Sequence, residues 1–355
     1  MRELIRVLVI DDSAFTRQTI KRILERSPLV EVVAWARDGE EALQKALEID
    51  VDLITLDLEM PRMDGFTFLR ILMAKRPTPV IVISGKAGDQ DVFKALDLGA
   101  VDFVAKPSRA ATTELESIEQ ELIRKVHAIR QLRIEKVADR IAKPVKMGPA
   151  AHAKPAHKVV AIGSSTGGPA ALMQVFSSFE TVPSCAFVVS QHMPEGFTAG
   201  FAERIDRLTT FSAREAESGD VPAAGSVLIA PGGKHLELEK SGGQVVVRIC
   251  DRVEADRYAP SVDRMLLSAA KHYGSELLAV VLTGMGDDGS QGVEAVRQAG
   301  GNVIVESEET AVIFGMPQQA IRTGAVDAVL PLPEIAPVIR SGFVAKDDGK
   351  PGSSA

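Results

Sequence analysis

Short apolar runs alternate with stretches of helical spacing along most of the chain, and this alternation constrains the fold more than any other feature. Residues 6–106 contain five such runs: VLVI, VVAWA, LITLD, PVIVIS and VDFVAK. Residues 159–332 contain six more: VVAIG, CAFVVSQ, SVLIAP, LLAVVLT, NVIVE and AVDAVLPL. Near-continuous apolar strands separated by helices are typical of parallel sheets that are covered on both faces. The sequence therefore predicts an α/β protein with two doubly wound parallel sheets.

The composition changes between the two sets of strands. Residues 112–141 are charged with helical spacing, and residues 143–158 are rich in Pro, Ala, Lys and His without periodicity. HLELE and QVVVRI flank SGG later in the chain, which predicts a β-ribbon with a glycine turn. We therefore predict four segments: a first domain at 1–125, a linker helix and tether at 126–157, a second domain at 158–345 and a disordered tail at 346–355.

Composition and charge exclude several classes of function. The 355 residues carry a net charge of -7, which gives no overall attraction to nucleic acid or to an anionic membrane. Cys185 and Cys250 lie far apart, and with the six scattered histidines they form no metal-ligand pattern. No apolar stretch reaches the roughly 18 residues that suggest a transmembrane helix. We expect a cytoplasmic protein that is not embedded in a membrane and does not bind nucleic acid.

Polar side chains follow the predicted strands of the first domain where each strand ends. Asp11 and Asp12 follow the first strand, Asp57 the third, Ser84 the fourth and Lys106 the fifth. The carboxyl ends of parallel strands meet at one edge of a sheet, and three carboxylates there would suit Mg²⁺. Ser84 and Lys106 could then contact a phosphoryl group. Taken singly, the aspartates could instead cap the first helix and the lysine could be a surface residue.

The second domain contains a GxSxG motif after its first strand, and this motif selects Ser165 rather than Ser164. A serine at a tight turn from strand to helix is lifted clear of the sheet. Amides near Thr166, Gly167 and Gly168 could then stabilise an oxyanion. By itself the motif also fits a glycine-rich turn without catalysis or a phosphate cradle, although no Walker GK[ST] follows it.

A nucleophilic serine requires a base and an acid that orients this base. His192 directly follows the run CAFVVSQ, so we expect it at the same sheet edge as the serine, whereas His235 is a weaker candidate. The run LLAVVLT ends in GMGDDG, which places Asp287 and Asp288 at this edge. The sequence therefore predicts a serine, a histidine and an aspartate that meet in one cleft.

The string GMGDDG also fits the GxGxxG pattern of dinucleotide sites, with Glu306 about 20 residues further on. Two carboxylates inside such a loop would repel a pyrophosphate, and the motif lies late in its domain. The serine, histidine and aspartate order also differs from that of α/β-hydrolases, so that fold is not implied. We therefore favour the hydrolase over the dinucleotide site.

The strings VLVIDDS, LDLEMPRMDG, VISG and FVAKPS resemble the receiver domain of bacterial response regulators over residues 1 to about 125. The resemblance implies a flavodoxin-like sheet with Asp57 as the phosphoacceptor. It implies a Mg²⁺ site made by Asp11, Asp12, Asp57 and the backbone carbonyl of Glu59. It implies switch positions at Ser84, Phe103 and Lys106.

The strings GSSTGG, SQHMP, YAPSVD, LTGMGDDG and FGMP resemble the catalytic domain of the chemotaxis protein-glutamate methylesterases, the CheB family, over residues 158–343. The resemblance implies a Rossmann-like domain with Ser165 as nucleophile, His192 as base and Asp288 as orienting acid. It also implies that Thr166 and Met285 line the site and that the Met285 amide helps to hold the oxyanion.

Two positions decide or weaken parts of this resemblance. Asp287 stands where the family often has Asn, which favours Asp288 as the acid. Ala259 in YAPSVD stands where the family commonly has Arg, so the resemblance does not carry a role of that arginine over to this position.

The two resemblances together imply a phosphorylation-activated serine hydrolase. It would demethylate glutamate methyl esters, and deamidate glutamines, on methyl-accepting chemoreceptors during sensory adaptation. The histidine kinase CheA would be the phosphodonor, Mg²⁺ would bind the receiver, and the catalytic domain would need no cofactor. The unphosphorylated receiver is expected to pack over the catalytic cleft and to loosen after phosphorylation.

Two other classes of function stay open at this point. One is a binding protein whose second domain has lost catalysis, which the intact serine, histidine and aspartate oppose. The other is a DNA-binding response regulator, because ten Lys or Arg against two acidic residues occupy 124–158. The acidic whole and the lack of a helix-turn-helix pattern oppose this alternative.

Overall fold

The computed structural model of the chain describes residues 4–85, 90–106, 112–131 and 155–343. Its first domain is a five-stranded sheet in the order β2-β1-β3-β4-β5, with every described pairing parallel. The strands are β1 (Ile5–Ile10), β2 (Val30–Ala36), β3 (Leu53–Leu56), β4 (Val80–Ser84) and β5 (Asp102–Ala105). The helices are α1 (Ala14–Leu24), α2 (Gly39–Glu48), α3 (Gly65–Lys75), α4 (Gln90–Asp97) and α5 (Thr112–Ala128).

The second domain is a seven-stranded parallel sheet in the order β14-β13-β12-β6-β7-β9-β8, with an antiparallel ribbon β10-β11 beside it. The strands are β6 (Val159–Ser164), β7 (Ala186–Gln191), β8 (Ser212–Glu215), β9 (Ser226–Ile229), β10 (Lys234–Ser241), β11 (Gln244–Asp251), β12 (Leu277–Val281), β13 (Asn302–Glu306) and β14 (Ala328–Leu330). The helices are α6 (Gly168–Ser177), α7 (Thr198–Leu208), α8 (Val262–Tyr273), α9 (Ser290–Gln298), α10 (Met316–Arg322) and α11 (Leu332–Arg340). The predicted fold class is confirmed.

Burial on both faces explains why the central strands of the second sheet have apolar sequences. Every residue of β6, β7 and β12 is buried, because helices cover both faces of the sheet. Side chains that alternate along β6 enter two different cores, with Val160 and Ile162 on one face and Val159 and Ala161 on the other. A strand buried on both faces cannot show the alternating pattern of a half-buried strand.

The strand order of the second sheet reverses next to β6. Strand β6 pairs with β7 on one side and with β12 on the other. In open α/β sheets, such a switch point leaves a crevice at the carboxyl ends of the strands. The loops that follow β6, β7 and β12 all open at this crevice.

The first domain contacts the second through α4, β5 and α5. The ring centroid of Phe103 on β5 lies 4.8 Å from that of Phe197, and the rings of Phe93 and Phe201 lie 5.7 Å apart.

The structure differs from the prediction at three elements. Strand β8 was not predicted, and the last strand is confined to Ala328–Leu330, where Pro331 follows. Helix α5 ends at Ala128 and continues as a short 3₁₀ turn, Ile129–Gln131. The predicted helical continuation to residue 141, most of the tether, and the tail from 346 lie outside the described residues.

Candidate active site

Three carboxylates of the first domain converge at one sheet edge. Oxygen atoms of Asp11, Asp12 and Asp57 all lie within 4.8 Å of one another. The Lys106 ammonium lies 2.6 Å from Asp57 Oδ2 and 3.1 Å from Asp11 Oδ2. The predicted convergence of strand ends therefore produces an anionic cluster with one cation beside it.

Burial dominates the electrostatics of this cluster. It raises the pKa of Asp57 to about 6, although the hydrogen bond from Lys106 acts in the opposite direction. Burial also raises the pKa of Asp11, although the Lys106 ammonium 3.1 Å from its Oδ2 acts in the opposite direction. A divalent cation would stabilise the ionised forms of these carboxylates, so the donor set fits Mg²⁺.

Helix capping does not account for the aspartates. Ser13 caps α1 through a bond from the Thr16 amide to its hydroxyl oxygen, at 3.4 Å. Asp11 Oδ1 accepts from the Ser13 amide at 2.8 Å, but its other oxygen lies beside Lys106. Asp57 directly follows β3 and precedes no helix at that point.

The remaining predicted positions of the first domain lie around this cluster or on β4 and β5. Ser84 is buried at the end of β4, and Phe103 is buried on β5 with its ring against the second domain. The Glu59 amide donates to Asp57 Oδ1 at 3.3 Å, while its side chain is exposed. A metal bond from the Glu59 carbonyl stays a prediction.

Ser165 lies in the tight turn between β6 and α6. Its amide donates to the carbonyl of Thr283, after β12, at 3.0 Å. Gly167 has φ of +78°, and a Cβ there would lie 2.9 Å from the Cβ of Val312. Only glycine suits this conformation and this close approach, so the turn is built around the motif's second glycine.

The amides around the turn are not equally available. The Gly168 amide donates to the Ser165 carbonyl at 2.8 Å and is therefore engaged within the turn, contrary to its predicted role at an oxyanion. Among the hydrogen bonds of the described residues, none uses the amide of Thr166 or of Met285. Both residues line the same cavity as Ser165.

His192 begins the loop after β7, and both its backbone and its ring are held by hydrogen bonds. Its amide donates to the Ser164 carbonyl at 3.0 Å, and its ring Nε2 lies 2.7 Å from Asp288 Oδ2. Its Nδ1 is buried without a hydrogen-bond partner among the described groups. His192 and Ser165 line one cavity without a hydrogen bond between their side chains, and such bonds are often formed only with substrate bound.

Asp288 is 4% exposed and accepts hydrogen bonds from the start of α8 as well as from His192. The donors are the Ser261 hydroxyl at 3.0 Å, the Val262 amide at 2.7 Å and the Asp263 amide at 2.9 Å. Burial raises the pKa of Asp288, but the bonds from His192 and these amides outweigh it and lower the pKa below its ordinary value. The carboxylate is thus ionised and fixed toward the imidazole.

The weaker candidates lie elsewhere. Asp287 is exposed and pairs with Arg257 at 2.9 Å. His235 is fully buried, and both ring nitrogens are occupied, by Asp256 and by the Ser261 amide. Glu306 is fully buried and accepts from the Thr283 amide at 2.8 Å, so it cannot reach a ribose.

A cavity lies between the two domains at this site. Helix α5 of the first domain forms one wall. The loops after β6, β7 and β12 and the segment between β11 and α8 form the rest. Its lining residues are Glu121, Arg124, Lys125, Ser165, Thr166, His192, Arg257, Tyr258, Met285 and Gly286. The first domain therefore covers the crevice of the second.

Sequence reasoning missed two residues of the site. Ser261 could have been found, because it is a serine directly before a helical pattern and caps α8. The ring of Tyr258 stacks on the His192 ring with centroids 4.6 Å apart, and no local pattern predicts such a tertiary contact.

Comparison with known proteins covers both domains. A sequence profile described as CheB methylesterase matches residues 160–339, and one described as response regulator receiver domain matches residues 7–116. The crystal structure of the Thermotoga maritima CheB methylesterase catalytic domain is 41% identical, covers 52% of this chain and 97% of its own, and has a TM-score of 0.49.

Two full-length relatives are similar along nearly the entire chain. Protein-glutamate methylesterase/protein-glutamine glutaminase 3 of Geobacter sulfurreducens is 48% identical over 97% of this chain and 99% of its own length. Protein-glutamate methylesterase/protein-glutamine glutaminase 1 of Myxococcus xanthus is 48% identical over 94% of this chain and 96% of its own. The chain therefore belongs to the CheB methylesterase family of carboxylic ester hydrolases, and it carries a response regulator receiver domain ahead of the catalytic domain.

Proposed function

We propose that this protein hydrolyses γ-methyl esters of glutamate side chains on methyl-accepting chemoreceptors, with Ser165 as nucleophile, His192 as base and Asp288 as orienting acid. One observation carries the proposal. The ionised, four-bonded carboxylate of Asp288 holds His192 in a cavity that also contains the serine of the GxSxG turn. The names of the relatives supply the substrate class.

The geometry supports a division of roles. Because Nε2 of His192 is bound to Asp288, Nδ1 is the nitrogen left to take the Ser165 proton. Ser165 attacks the ester carbonyl, and the amides of Thr166 and Met285 hold the oxyanion. Asp288 stabilises the imidazolium that forms. Methanol leaves with the proton from His192, and water then releases glutamate by the same steps.

The same groups can deamidate glutamine. The leaving ammonia needs a proton, and protonated His192 supplies it as it does for methanol. The relatives carry both activities in their names, which favours this second reaction on the same site.

The receiver domain supplies the control. Asp57 accepts a phosphoryl group from a histidine kinase of the CheA type, and Lys106 pairs with the added charge. Asp11, Asp12, Asp57 and the Glu59 carbonyl would hold Mg²⁺, which supplies positive charge for phosphoryl transfer. Ser84 and Phe103 are the switch positions, and Phe103 directly contacts Phe197 of the catalytic domain. Phosphorylation thus weakens the contact by which α5 covers the cavity.

We propose that the enzyme acts in the cytoplasm, which agrees with the two free cysteines, Cys185 and Cys250. We propose no nucleic-acid partner, because the output domain is the hydrolase and the whole chain is acidic.

The adjacent aspartates of GMGDDG offer a matched test. Asp288→Asn should lower the rate of methanol release from methylated receptor membranes by about a thousandfold or more, because the imidazole loses its orienting charge. Asp287→Asn should keep the rate within about tenfold, since the Asp287 carboxylate is exposed and contacts the Arg257 guanidinium and the Tyr258 hydroxyl, not the imidazole. Circular dichroism should show both variants folded. Equal rates for the two variants would remove Asp288 from the mechanism.

A further inference from the structure

Among the described residues, Tyr258 contributes a phenol ring to the wall of the cavity, beside the His192 imidazole. Its ring is almost parallel to the His192 imidazole, with an interplanar angle of 8° and centroids 4.6 Å apart. Aromatic pairs favour such stacked arrangements over most other relative orientations of the two rings. The stack therefore fixes the plane of the base, while Asp288 fixes only one of its nitrogens.

The surrounding loop is shaped to receive this ring. Gly286 has φ of +102°, and a Cβ there would lie 2.3 Å from the Tyr258 hydroxyl oxygen. That hydroxyl lies 3.4 Å from Asp287 Oδ1, which also binds Arg257. The GMGDDG loop thus holds the orienting acid on one side and the stacked ring on the other.

The receiver reaches the same ring. The guanidinium of Arg124 on α5 lies 5.5 Å from the Tyr258 ring centroid, and that of Arg257 lies 5.1 Å from it. Both distances are within the range of cation–π attraction. Arg257 belongs to the catalytic domain, but Arg124 arrives only when the receiver is docked.

We propose that Tyr258 is a positioning residue for His192 and that Arg124 of the docked receiver weakens the base through this ring. His192 becomes a cation when it takes the serine proton, and a stacked π face stabilises a cation. A guanidinium already bound to the ring competes for the same π density. Docking of α5 therefore lowers the reactivity of the base in addition to covering the cavity.

The inference rests on the proposed esterase function and adds a regulatory contact to it. If α5 acts only as a cover, the effect of Arg124 is independent of the residue at position 258. If the ring transmits the effect, removing the ring removes it. A double-mutant cycle separates the two possibilities.

The first arm of the test removes the ring in the full-length protein. Tyr258→Leu should lower kcat for methanol release about tenfold, which is the size of one aromatic stacking interaction, with KM changed less than about threefold. Tyr258→Phe keeps the ring and should restore most of kcat. A Tyr258→Leu variant with parental kcat, or a Tyr258→Phe variant as slow as Tyr258→Leu, would overturn the positioning role.

The second arm tests the route from the receiver. Without phosphodonor, Arg124→Gln should raise kcat about threefold in the parent and not in Tyr258→Leu. Arg22→Gln, on the exposed face of α1, is the matched control and should change neither background. An equal rise in both backgrounds would show that Arg124 acts only as part of a cover.

The two proposals fail in different ways. If the parent releases no methanol, the proposed function is wrong. If the parent is active and Ser165→Ala is not, but the cycle shows no coupling, only the inference about Tyr258 and Arg124 is wrong.

Discussion

Two buried carboxylates in this molecule have pKa values that are shifted in opposite directions, because their hydrogen-bond and charge partners differ. Asp288 accepts from an imidazole, a hydroxyl and two amides, and its pKa is lowered although burial acts to raise it. Asp57 has the Lys106 ammonium and one amide but also the neighbouring Asp11 carboxylate, and burial prevails. Asp288 therefore stays ionised at neutral pH, whereas the Asp57 carboxyl titrates near pH 6.

We expect the carboxyl carbon of Asp57 to titrate with a midpoint near the pKa of about 6 in metal-free protein. The raised value means that Asp57 keeps its proton to a higher pH than an ordinary aspartate, so phosphorylation should slow as the pH falls below this midpoint. Added Mg²⁺ should lower the midpoint because the cation competes with the proton. Carbon-13 NMR of labelled protein checks both effects, and a metal-free midpoint at the ordinary aspartate value would contradict them.

At the scale of single residues, the sequence predicted those site residues that directly follow a strand. Ser165, His192 and the two aspartates of GMGDDG follow apolar runs, so the edge at which they meet could be inferred. Tyr258 lies between the ribbon and α8, and its contact with His192 depends on the path of a loop. Such a path leaves no periodic signal.

The start of α8 is the element that fixes Asp288, the proposed orienting acid. The amides of Val262 and Asp263 point at Asp288, and an ionised carboxylate is favourable at a helix N-terminus. The N-cap Ser261 uses its hydroxyl oxygen to accept from the Arg264 amide at 3.3 Å and its proton to bind Asp288. One hydroxyl thus supports both the helix and the acid.

Ser261→Ala should lower the free energy of unfolding by about 1 kcal/mol, the usual cost of losing an N-cap. It should also lower kcat, because Asp288 loses one donor, while KM stays near the parent's. Denaturant unfolding and methanol release measure the two effects. Ser261→Thr keeps the hydroxyl and serves as the control. A variant with parental stability and parental kcat would show that neither bond contributes.

The elements that the sequence missed share a physical cause. Strand β8, with the sequence SARE, is a short edge strand, and only one of its four residues is buried. The central strands are buried along their full length and leave an apolar run that is easily read. Edge strands are defined by a neighbour's hydrogen bonds, which composition does not reveal.

At the scale of the molecule, the two domains share one cavity. Helix α5 contributes Glu121, Arg124 and Lys125 to the wall opposite Ser165. Phe103, the proposed switch residue of the receiver, packs on Phe197, which lies in the segment that follows His192. A change at Asp57, the proposed phosphoacceptor, would therefore have a short route to the contact that closes the cavity. This arrangement depends on domain docking, which no single segment predicts.

Weakening the contact between the two domains at its edge should raise the rate of methanol release in the absence of phosphorylation. Arg204 on α7 pairs with Asp97 on α4 at 2.5 Å. Arg204→Glu replaces the attraction by repulsion and should raise basal methanol release about threefold, in line with the small energy of a surface ion pair. Lys271→Glu, a charge reversal at an exposed position of α8, is the control. A basal rate equal to that of the control would argue against this docking surface.

The central claim is that Ser165 hydrolyses receptor methyl esters in a cleft that the receiver controls. The most direct test is the rate of methanol release from methylated receptor membranes, with and without a phosphodonor and Mg²⁺, for the parent, Ser165→Ala and Ser164→Ala. We predict that phosphodonor accelerates the parent and Ser164→Ala, and that Ser165→Ala loses about a thousandfold or more under both conditions. Methanol release by Ser165→Ala at the parent's rate would contradict the account.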